Sequence, residues 1–224
     1  MQTQNKEIEF QYWGLIDYEE ALAKQEKLFS QAVSSKLAGR EHQDIFAICQ
    51  HPNVYTLGRH GKEENMLLTA EQLQSVGARL YHISRGGDIT YHGPGQIVVY
   101  PILDLEHLGI GLKEYIHRLE EIIIRVVARY GLSAERITGA TGVWLREPDR
   151  KICAIGVKAS HYVTMHGLAL NVNTELQYFS YINPCGFTDK GVTSLQKELN
   201  RAVDIEQVIR YIEIEARNLL LTNQ

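Results

Sequence analysis

Residues 85–102 read RGGDITYHGPGQIVVYPI, and they join a glycine-rich segment to an apolar one. The first twelve residues contain four glycines and a proline beside Asp88, Tyr91 and His92. Such glycines let the backbone approach another group closely and leave N–H groups available as donors. A surface hairpin loop is the plainer alternative, although aromatic and His side chains are unusual in simple turns. The apolar residues from Ile97 to Ile102 predict a buried strand after the loop.

On both sides of this stretch, short apolar runs alternate with amphipathic segments. The apolar runs predict strands at residues 7–13, 44–50, 79–84, 97–102, 142–145, 151–157 and 163–173. Start and stop signals predict helices after Asp17, at residues 69–76 and 112–130, and from about Asp204. Strands outnumber helices and often follow one another directly. The pattern therefore predicts an α+β fold with a mixed or antiparallel central sheet flanked by helices, in a single domain over residues 1–224.

The composition is ordinary for a globular protein, since 44% of the 224 residues are hydrophobic and 22% are charged. The net charge of -4 argues against a nucleic-acid partner. No apolar run approaches about eighteen residues and the N-terminus is polar, so we expect no membrane association and a cytoplasmic location. An acidic chain that meets an acidic partner needs a local basic patch. Arg59, His60 and Lys62 are candidates for that patch, although ordinary solvated charges would look the same.

Three cysteines, an odd number placed far apart, predict neither a disulfide framework nor a zinc site. Cys49 and Cys153 lie in apolar strands, where a free thiol behaves as a small hydrophobic residue. Cys185 lies between a proline, which fixes the local backbone, and a glycine, which clears space around the sulfur. This context makes Cys185 the best candidate for a nucleophile, with a half-buried loop thiol as the alternative.

Small residues occupy strand positions where β-branched residues are expected, at Ala154, Gly156, Gly167 and Ala169. They could leave space for an apolar ligand or allow close packing of a helix on the sheet, and the residues alone do not separate the two. Lys151 follows a Pro–Asp turn, which is typical of a solvated charge. Its strand position also allows it to point inward beside Cys185, and periodicity does not decide between these orientations.

Five motifs, in this order, resemble the octanoyltransferase (lipoate–protein ligase B) family. They are RGGDITYHGPGQ (85–96), KICAIGVK (151–158), HGLALNVN (166–173), INPCG (182–186) and VTSL (192–195). The resemblance implies a fold like the catalytic domain of biotin and lipoate ligases. It also implies that Cys185 is the acyl-carrying nucleophile and Lys151 its catalytic partner. The acyl group would be bound by Arg85, Gly86, Gly87, Asp88, Ile89, Thr90, Tyr91, His92, Ala154, Ile155, Gly156, Gly167, Leu168 and Ala169.

The reaction implied by the resemblance moves an octanoyl group from acyl carrier protein, through a Cys185 thioester, to a lysine of a lipoyl domain. The acceptors would be the lipoyl domains of 2-oxoacid dehydrogenases and the glycine cleavage H protein. A thioester donor is already activated, so no ATP, metal or other cofactor is expected, and the sequence has no GxxxxGK[ST] phosphate loop. Backbone N–H groups of the glycine-rich loop and His92 are candidates to hold the oxyanion. Two alternatives stay open: an ATP-dependent lipoate or biotin ligase, and a non-catalytic acyl-binding module.

Overall fold

The computed structural model describes residues 7–183 and 191–221, and an eight-stranded mixed sheet lies at the centre of these residues. The strand order is β1 (Ile8–Leu15), β2 (Asp44–Gln50), β6 (Gln96–Ile102), β10 (Val163–Asn171), β9 (Arg150–Ser160), β8 (Ala140–Leu145) and β7 (Glu135–Ile137), with β11 (Gly191–Val192) beside β9. The pairs β1–β2 and β9–β11 are parallel, and the other neighbours are antiparallel. The predicted mixed sheet is confirmed.

Alternation along the central strands sends side chains into two different layers. On β6, Ile97 and Val99 belong to a cluster formed with the helices α4 (Leu112–Ala128) and α6 (Ile205–Leu220). Val98 and Tyr100, also on β6, belong to a second cluster that includes Ala21 of α1 (Tyr18–Leu37). The sheet is therefore covered by helices on both faces, which makes the predicted α+β architecture complete.

The described residues form three further helices, α2 (Ala70–Ser75), α3 (Leu105–Leu108) and α5 (Leu195–Leu199), and two 3₁₀ turns, Glu63–Asn65 and Leu176–Tyr181. The side chains of Asp17, Thr69 and Asp204 accept hydrogen bonds from backbone N–H groups in the first turns of α1, α2 and α6. These caps satisfy donors that a helix start leaves unpaired, as predicted. Within the described part of the chain, no helix is both long and apolar enough to span a bilayer.

A second, three-stranded sheet lies beside the first, with β3 (Val54–Leu57) between β4 (Arg79–His82) and β5 (Ile89–His92). The sequence predicted an uninterrupted loop over residues 85–96, and that prediction is wrong at residues 89–92. Ile89 and Tyr91 are buried in a third cluster with Tyr55 and Leu57 of β3. Glycines on both sides of this short strand obscure its two-residue periodicity in the sequence.

Candidate active site

A cavity of about 290 Å³ lies where β6, β9 and β10 meet the small sheet. Most of the residues predicted to bind the acyl group line it: Arg85, Gly87, Asp88, Ile89, Thr90, His92, Ala154, Ile155, Gly156, Gly167, Leu168 and Ala169. Lys151 also lines the cavity, as do Gly191 and Val192 of β11. Cys185 lies outside the described residues, between the described ends at Asn183 and Gly191.

Gly86 and Tyr91 are not brought to the cavity wall, and both serve the surrounding structure. The N–H of Gly86 donates to the carbonyl oxygen of Val157 at 3.0 Å, which fastens the loop to β9. The buried Tyr91 ring stacks on Tyr178 with centroids 4.8 Å apart, and its hydroxyl donates to Asn53 Oδ1 at 2.8 Å. The glycine-rich motif therefore combines residues that face the cavity with residues that hold the loop.

The loop that precedes β5 is fixed by the buried guanidinium of Arg85. Nη2 of Arg85 donates to the carbonyl oxygen of Thr56 at 2.6 Å and to its hydroxyl at 3.0 Å. Glycine at position 58 is required here, because an added Cβ would lie 2.3 Å from the carbonyl oxygen of Gly87. Charge-assisted hydrogen bonds of this kind are stronger than neutral ones. The cavity wall formed by this loop is therefore held in place by contacts within the protein.

The small residues of β9 and β10 line the cavity and also allow close packing, although the groups that approach them are a neighbouring strand and a loop and not a helix. A Cβ on Gly167 would lie 2.2 Å from the carbonyl oxygen of Val99, so this glycine allows β10 to approach β6. A Cβ on Gly156 would lie 2.8 Å from the carbonyl oxygen of Gly86, where the glycine-rich loop packs on β9. Ala154 and Ala169 are directly paired across the two strands and both line the cavity.

Lys151 is half-buried on β9, and its ammonium lies over the ring of Trp144, 4.6 Å from the centroid. Trp144 is almost fully buried and its Nε1–H donates to the carbonyl oxygen of Ala140 at 2.8 Å, which fixes the plane of the ring. Cation–π attraction holds an ammonium at such a position. Val192, the second residue of β11, pairs with Lys151, so the chain re-enters the described structure beside this amine.

The two described cysteines are buried and neither lines the cavity. Burial raises the pKa of the Cys49 thiol and of the Cys153 thiol well above the ordinary value. A thiol in this state is a poor nucleophile, because the thiolate is the reactive form. Both positions are therefore structural, as their strand context predicted.

A chain of buried side-chain amides links β11 to His92. Asn171 Nδ2 donates to the Thr193 carbonyl oxygen at 3.0 Å, and Gln96 Nε2 donates to Asn171 Oδ1 at 2.9 Å and to the Tyr91 carbonyl oxygen at 3.1 Å. Gln96 Oε1 lies 2.8 Å from His92 Nδ1. Because the two backbone carbonyls can only accept, every amide in the chain has one permitted orientation. His92 must therefore carry its proton on Nδ1, with a lone pair on Nε2.

Burial, with smaller contributions from His51 and Arg85, lowers the pKa of His92 to about 3. A neutral imidazole with its proton on Nδ1 has no N–H left at Nε2 to donate to a negatively charged oxygen. The structure therefore argues against the predicted role of His92 as an oxyanion donor. Sequence reasoning missed Asn171 and Thr193 as partners, although both lie in quoted motifs, because their contacts depend on strand pairing.

Aromatic residues outside the motifs complete the wall of the cavity. Tyr18, at the start of α1, stacks on His92 with an interplanar angle of 8°, and Tyr100 of β6 lies nearby, its hydroxyl 2.7 Å from His51 Nε2. Trp144 of β8 and Phe179 of the 3₁₀ turn Leu176–Tyr181 also line the cavity, and the sequence singled out neither. These four residues are distant in sequence, so no local pattern connects them with the site.

The candidate basic patch of Arg59, His60 and Lys62 is exposed and borders the glycine-rich loop. The N–H of Arg59 donates to the Arg85 carbonyl oxygen at 3.0 Å, and the N–H of His60 donates to the Gly87 carbonyl oxygen at 3.3 Å. Lys62 forms an ion pair with Glu64 at 3.3 Å. The patch is thus attached to the backbone of a segment that forms one wall of the cavity.

Comparisons with known proteins agree with this geometry. The lipoyl protein ligase A/B catalytic domain family matches residues 17–216. An octanoyltransferase of Bacteroides fragilis (strain YCH46) is 63% identical over 199 residues, which cover 88% of this chain and 90% of that protein.

Solved structures share the fold at low sequence identity. A chain from the structure of the bipartite lipoate protein ligase and its E2 lipoyl domain from Thermoplasma acidophilum has a TM-score of 0.62 at 15% identity, covering 96% of this chain and 84% of that one. Biotin protein ligase from Aquifex aeolicus has a TM-score of 0.52 at 11% identity, covering 96% of this chain and 68% of that one. Both likenesses concern the fold alone, and they confirm the predicted ligase-like architecture.

Proposed function

Because the chain belongs to the lipoyl protein ligase A/B catalytic domain family, and within it to the octanoyltransferases, we propose that it moves an octanoyl group from acyl carrier protein to lipoyl-domain lysines. The proposed acceptors are the lipoyl domains of 2-oxoacid dehydrogenases and the glycine cleavage H protein. This reaction is an acyl transfer that begins protein lipoylation from an endogenous fatty acyl group. A reactive thiol operates in a reducing compartment, which supports a cytoplasmic location.

The observation that carries the proposal is the arrangement of Lys151 and the paired alanines in one cavity. The half-buried Lys151 ammonium lies on the same strand as Ala154, which faces Ala169 across the cavity wall. Small apolar residues leave room for an alkyl chain, and a lysine supplies the charge and proton transfer that thioester chemistry needs. The cavity lining contains both kinds of side chain, which supports the proposal.

Cys185 is proposed as the nucleophile. A free thiol is only a few per cent ionised at neutral pH, and an ammonium within about 4–6 Å favours the thiolate. The two other thiols are buried and have raised pKa values, which supports the assignment by elimination. Phe179, which precedes Cys185 in sequence, and Gly191, which follows it, both line the cavity, which supports the assignment.

The reaction has two balanced steps. In the first, the Cys185 thiolate attacks the carbonyl carbon of the octanoyl thioester and forms a new C–S bond. The bond between that carbonyl carbon and the phosphopantetheine sulfur breaks. The departing thiolate takes a proton from the Lys151 ammonium. In the second, the neutral amine of a lipoyl-domain lysine attacks the Cys185 thioester, an amide bond forms, and the Cys185 thiolate leaves. Neutral Lys151 accepts the proton that the incoming amine loses, which restores the starting state.

Backbone N–H groups are proposed to stabilise the oxyanion in both steps. The hydrogen-bond chain leaves His92 without a free N–H, so the glycine-rich loop is the better source of donors. Gly87 lines the cavity at a φ of 86°, a left-handed conformation that turns successive peptide groups towards a common point. Such an arrangement favours the binding of negative charge.

Binding of the eight-carbon chain is proposed to rest on the apolar part of the cavity. Each buried methylene contributes about 0.8 kcal/mol, so the alkyl tail contributes roughly 5 kcal/mol. The exposed Arg59, His60 and Lys62 beside the cavity wall are proposed to meet the acidic surface of acyl carrier protein. Charge complementarity of this kind raises the association rate between two proteins of like net charge.

The decisive experiment is intact mass spectrometry after mixing the protein with octanoyl acyl carrier protein. We expect one octanoyl adduct that hydroxylamine removes and that peptide mapping assigns to Cys185. Cys185→Ser should form no hydroxylamine-labile adduct, whereas the matched control Cys49→Ala should form it at the normal level. An adduct on another residue, or normal transfer by Cys185→Ser, would contradict the covalent mechanism.

The fold alone does not exclude an ATP-dependent ligase, because solved lipoate and biotin ligases share it. Incubation with free octanoate, ATP and a lipoyl domain separates the two reactions. We expect no transfer without the acyl carrier thioester. Efficient transfer from the free acid would instead support the ligase, and binding of octanoyl carrier protein without any acylation would support a non-catalytic module.

A further inference from the structure

A cluster of two histidines and two aspartates lies away from the cavity, where β2 begins and β6 ends. His42 precedes β2, Asp44 opens it, and Asp104 and His107 lie at the cap and in the body of α3. One ligand atom each from His42, Asp44 and His107 lies within 4.8 Å of the other two. None of these residues lines the cavity described above.

Both carboxylates are held so that one oxygen contacts the protein and the other faces the histidines. Asp44 Oδ1 accepts from the Asp104 N–H at 2.7 Å, while Asp44 Oδ2 lies 3.4 Å from His107 Nδ1. Asp104 Oδ1 accepts from Lys36 Nζ at 2.6 Å and from the Glu106 N–H at 2.9 Å. Its Oδ2 lies 3.6 Å from His42 Nε2. Hydrogen bonds to the oxygen that does not bind the metal are a common way for proteins to orient a carboxylate ligand.

His42 supplies an independent sign that a ligand belongs between these groups. Its side chain is only 7% exposed, yet neither ring nitrogen makes a hydrogen bond within the described part of the chain. Nε2 has only the approach of Asp104 Oδ2 at 3.6 Å, and a buried imidazole that makes no hydrogen bond is costly because its nitrogens have lost water. Its ring stacks on that of His107 with centroids 4.8 Å apart, so the two imidazoles are direct neighbours.

The local charge also calls for a cation. Asp44 and Asp104 are buried, Glu106 is close by, and Lys36 forms ion pairs with both Asp104 and Glu106 at 2.6 Å. Among the described residues, Lys36 is the partner of both Asp104 and the exposed Glu106, and Asp44 has no ion pair with a Lys or Arg, so the buried part of the cluster carries more negative than positive charge. Buried charges are normally paired or bound to a metal.

We propose that His42, His107 and Asp44 bind a divalent first-row transition metal ion, with Zn²⁺ as the best match, and that Asp104 and Lys36 orient the site. Two imidazoles and one carboxylate form a ligand set that zinc accepts, and water completes a tetrahedron. The ligand separation of 3.4 Å between His107 Nδ1 and Asp44 Oδ2 is the spacing of two ligands on one zinc ion, since ligand bonds are about 2.0–2.1 Å long. This site contains no cysteine, so the cysteine spacing could not predict it.

The site would link two parts of the chain that are distant in sequence. His42 belongs to the connection after α1, Asp44 to β2, and His107 to the short helix α3. A metal that binds only the folded state stabilises it by mass action. The proposal is independent of the acyl transfer chemistry, because its ligands and the cavity share no residue.

The experiment measures Zn²⁺ binding to the full chain after treatment with a chelator and dialysis. Cys185→Ser serves as the common background, so that a reactive thiol cannot bind the metal. We expect one tight equivalent of Zn²⁺ per chain by calorimetry, and a melting temperature about 5–10 °C higher when free Zn²⁺ is one hundred times its Kd. Co²⁺ in place of Zn²⁺ should give visible absorption typical of a tetrahedral site without thiolate.

Variants in this background decide the assignment. His107→Ala and His42→Ala should each weaken Zn²⁺ binding by ~100-fold or more, since even outer partners of metal ligands are worth 10–100-fold. Asp44→Asn keeps an acceptor for the Asp104 N–H and tests the ligand without removing that hydrogen bond. The exposed His117 provides the matched control, and His117→Ala should bind normally. Absence of a tight equivalent, or equal binding by the Asp44→Asn and His117→Ala proteins, would overturn the proposal.

Discussion

The two faces of the central sheet are built from the same strands and yet differ in almost every respect. On β10, Leu168 and Leu170 pack into the cluster formed with α4 and α6, and we call this side the closed face; of the two, Leu168 also contributes to the cavity lining. The alternate residues Gly167, Ala169 and Asn171 line the cavity, and we call their side the open face. Directly opposed residues share a face, so Gly167 and Ala169 of the open face are matched by small residues on β9.

The difference shows how one set of strands separates stability from chemistry. The closed face carries large aliphatic side chains in close contact, and their burial favours folding. The open face also packs against α1, but around the cavity it carries small residues, buried amides and titratable groups, which contribute less to folding and form a site. Successive side chains of a strand point to opposite faces of the sheet, so neighbouring residues can contribute separately to the core and to the site.

The largest expected effect is on the open face, at Lys151. Lys151→Met should reduce acyl transfer from octanoyl carrier protein by ~10²–10⁴-fold, because it removes the proposed proton donor and acceptor. The free energy of unfolding should change by only about 1 kcal/mol, the worth of a partly exposed cation–π contact with Trp144. Single-turnover kinetics and urea unfolding measure the two quantities. Lys158→Met, on the same strand, is the control, and an equal loss of transfer in both variants would contradict the assignment.

The next effect is on the closed face. Leu170 is fully buried, and Leu170→Ala should lower the free energy of unfolding by about 2–5 kcal/mol through lost burial and an added void. The preference for octanoyl over shorter acyl groups should stay unchanged, since this side chain packs with the helices. Urea denaturation and competition between acyl carrier substrates test the two statements. A change in chain-length preference would show that the two faces are not separable.

Acid should act mainly through the open face, because burial, the largest cause in both cases, lowers the pKa of His92 and of His166 to about 3. The unfolded chain binds protons at these residues near pH 6.5, whereas the folded chain does not. Stability is therefore lost as the pH falls below about 6.5, by about 2 kcal/mol per histidine between pH 7 and pH 5.

His92→Asn tests this contribution, because asparagine can place a donor near the Nδ1 position. The pH dependence of its unfolding free energy between pH 7 and pH 5 should be shallower than that of the wild type. His82→Asn, at an exposed position, should leave the slope unchanged. Identical slopes for His92→Asn and the wild type would show that His92 is protonated in the folded protein in this range.

The smallest effect is a change of substrate on the open face. Ala169→Val adds two methyl groups to the cavity, so the octanoyl chain should lose room equal to one or two methylenes. At about 0.8 kcal/mol per methylene, we expect a roughly 4–15-fold shift in preference towards shorter acyl groups. Competition between hexanoyl and octanoyl carrier proteins measures it. Ala21→Val, on α1 in the same hydrophobic cluster but outside the cavity lining, is the control for general crowding.

Much of the fold followed from local signals in the sequence. The apolar run DIFAICQ coincides with β2, the predicted caps at Asp17 and at the start of the helix over 69–76 are present, and the last helix begins next to Asp204 as expected. These features depend on neighbours along the chain, which a sequence displays directly. The small sheet was missed because β3 and β5 have four residues each and gain their stability from each other.

The candidate site was predictable to the extent that its residues lie in motifs. Four residues of KICAIGV and five of HGLALN line the cavity, and alternation of small with large residues in both motifs indicates two faces. Tyr18, Tyr100 and Trp144 were not predictable, because they reach the cavity from three distant elements. The contact of Gly167 with the Val99 carbonyl oxygen was also not predictable, since it depends on the close approach of β6 to β10. Assignment of Cys185 and Lys151 to the reaction stays a prediction.

The chain of amides from Thr193 through Asn171 and Gln96 to His92 limits how this site can change. Its direction is set by backbone carbonyls at Thr193 and Tyr91, which no substitution can convert into donors. Replacing Gln96 with Glu would place a carboxylate oxygen against Asn171 Oδ1 and the Tyr91 carbonyl oxygen, all of them acceptors, so these hydrogen bonds would be lost. A designer who seeks a new acyl specificity therefore has freedom at Ala154 and Ala169 but none at Gln96. Side chains at this site can therefore vary in size, whereas the pattern of hydrogen-bond donors and acceptors cannot change.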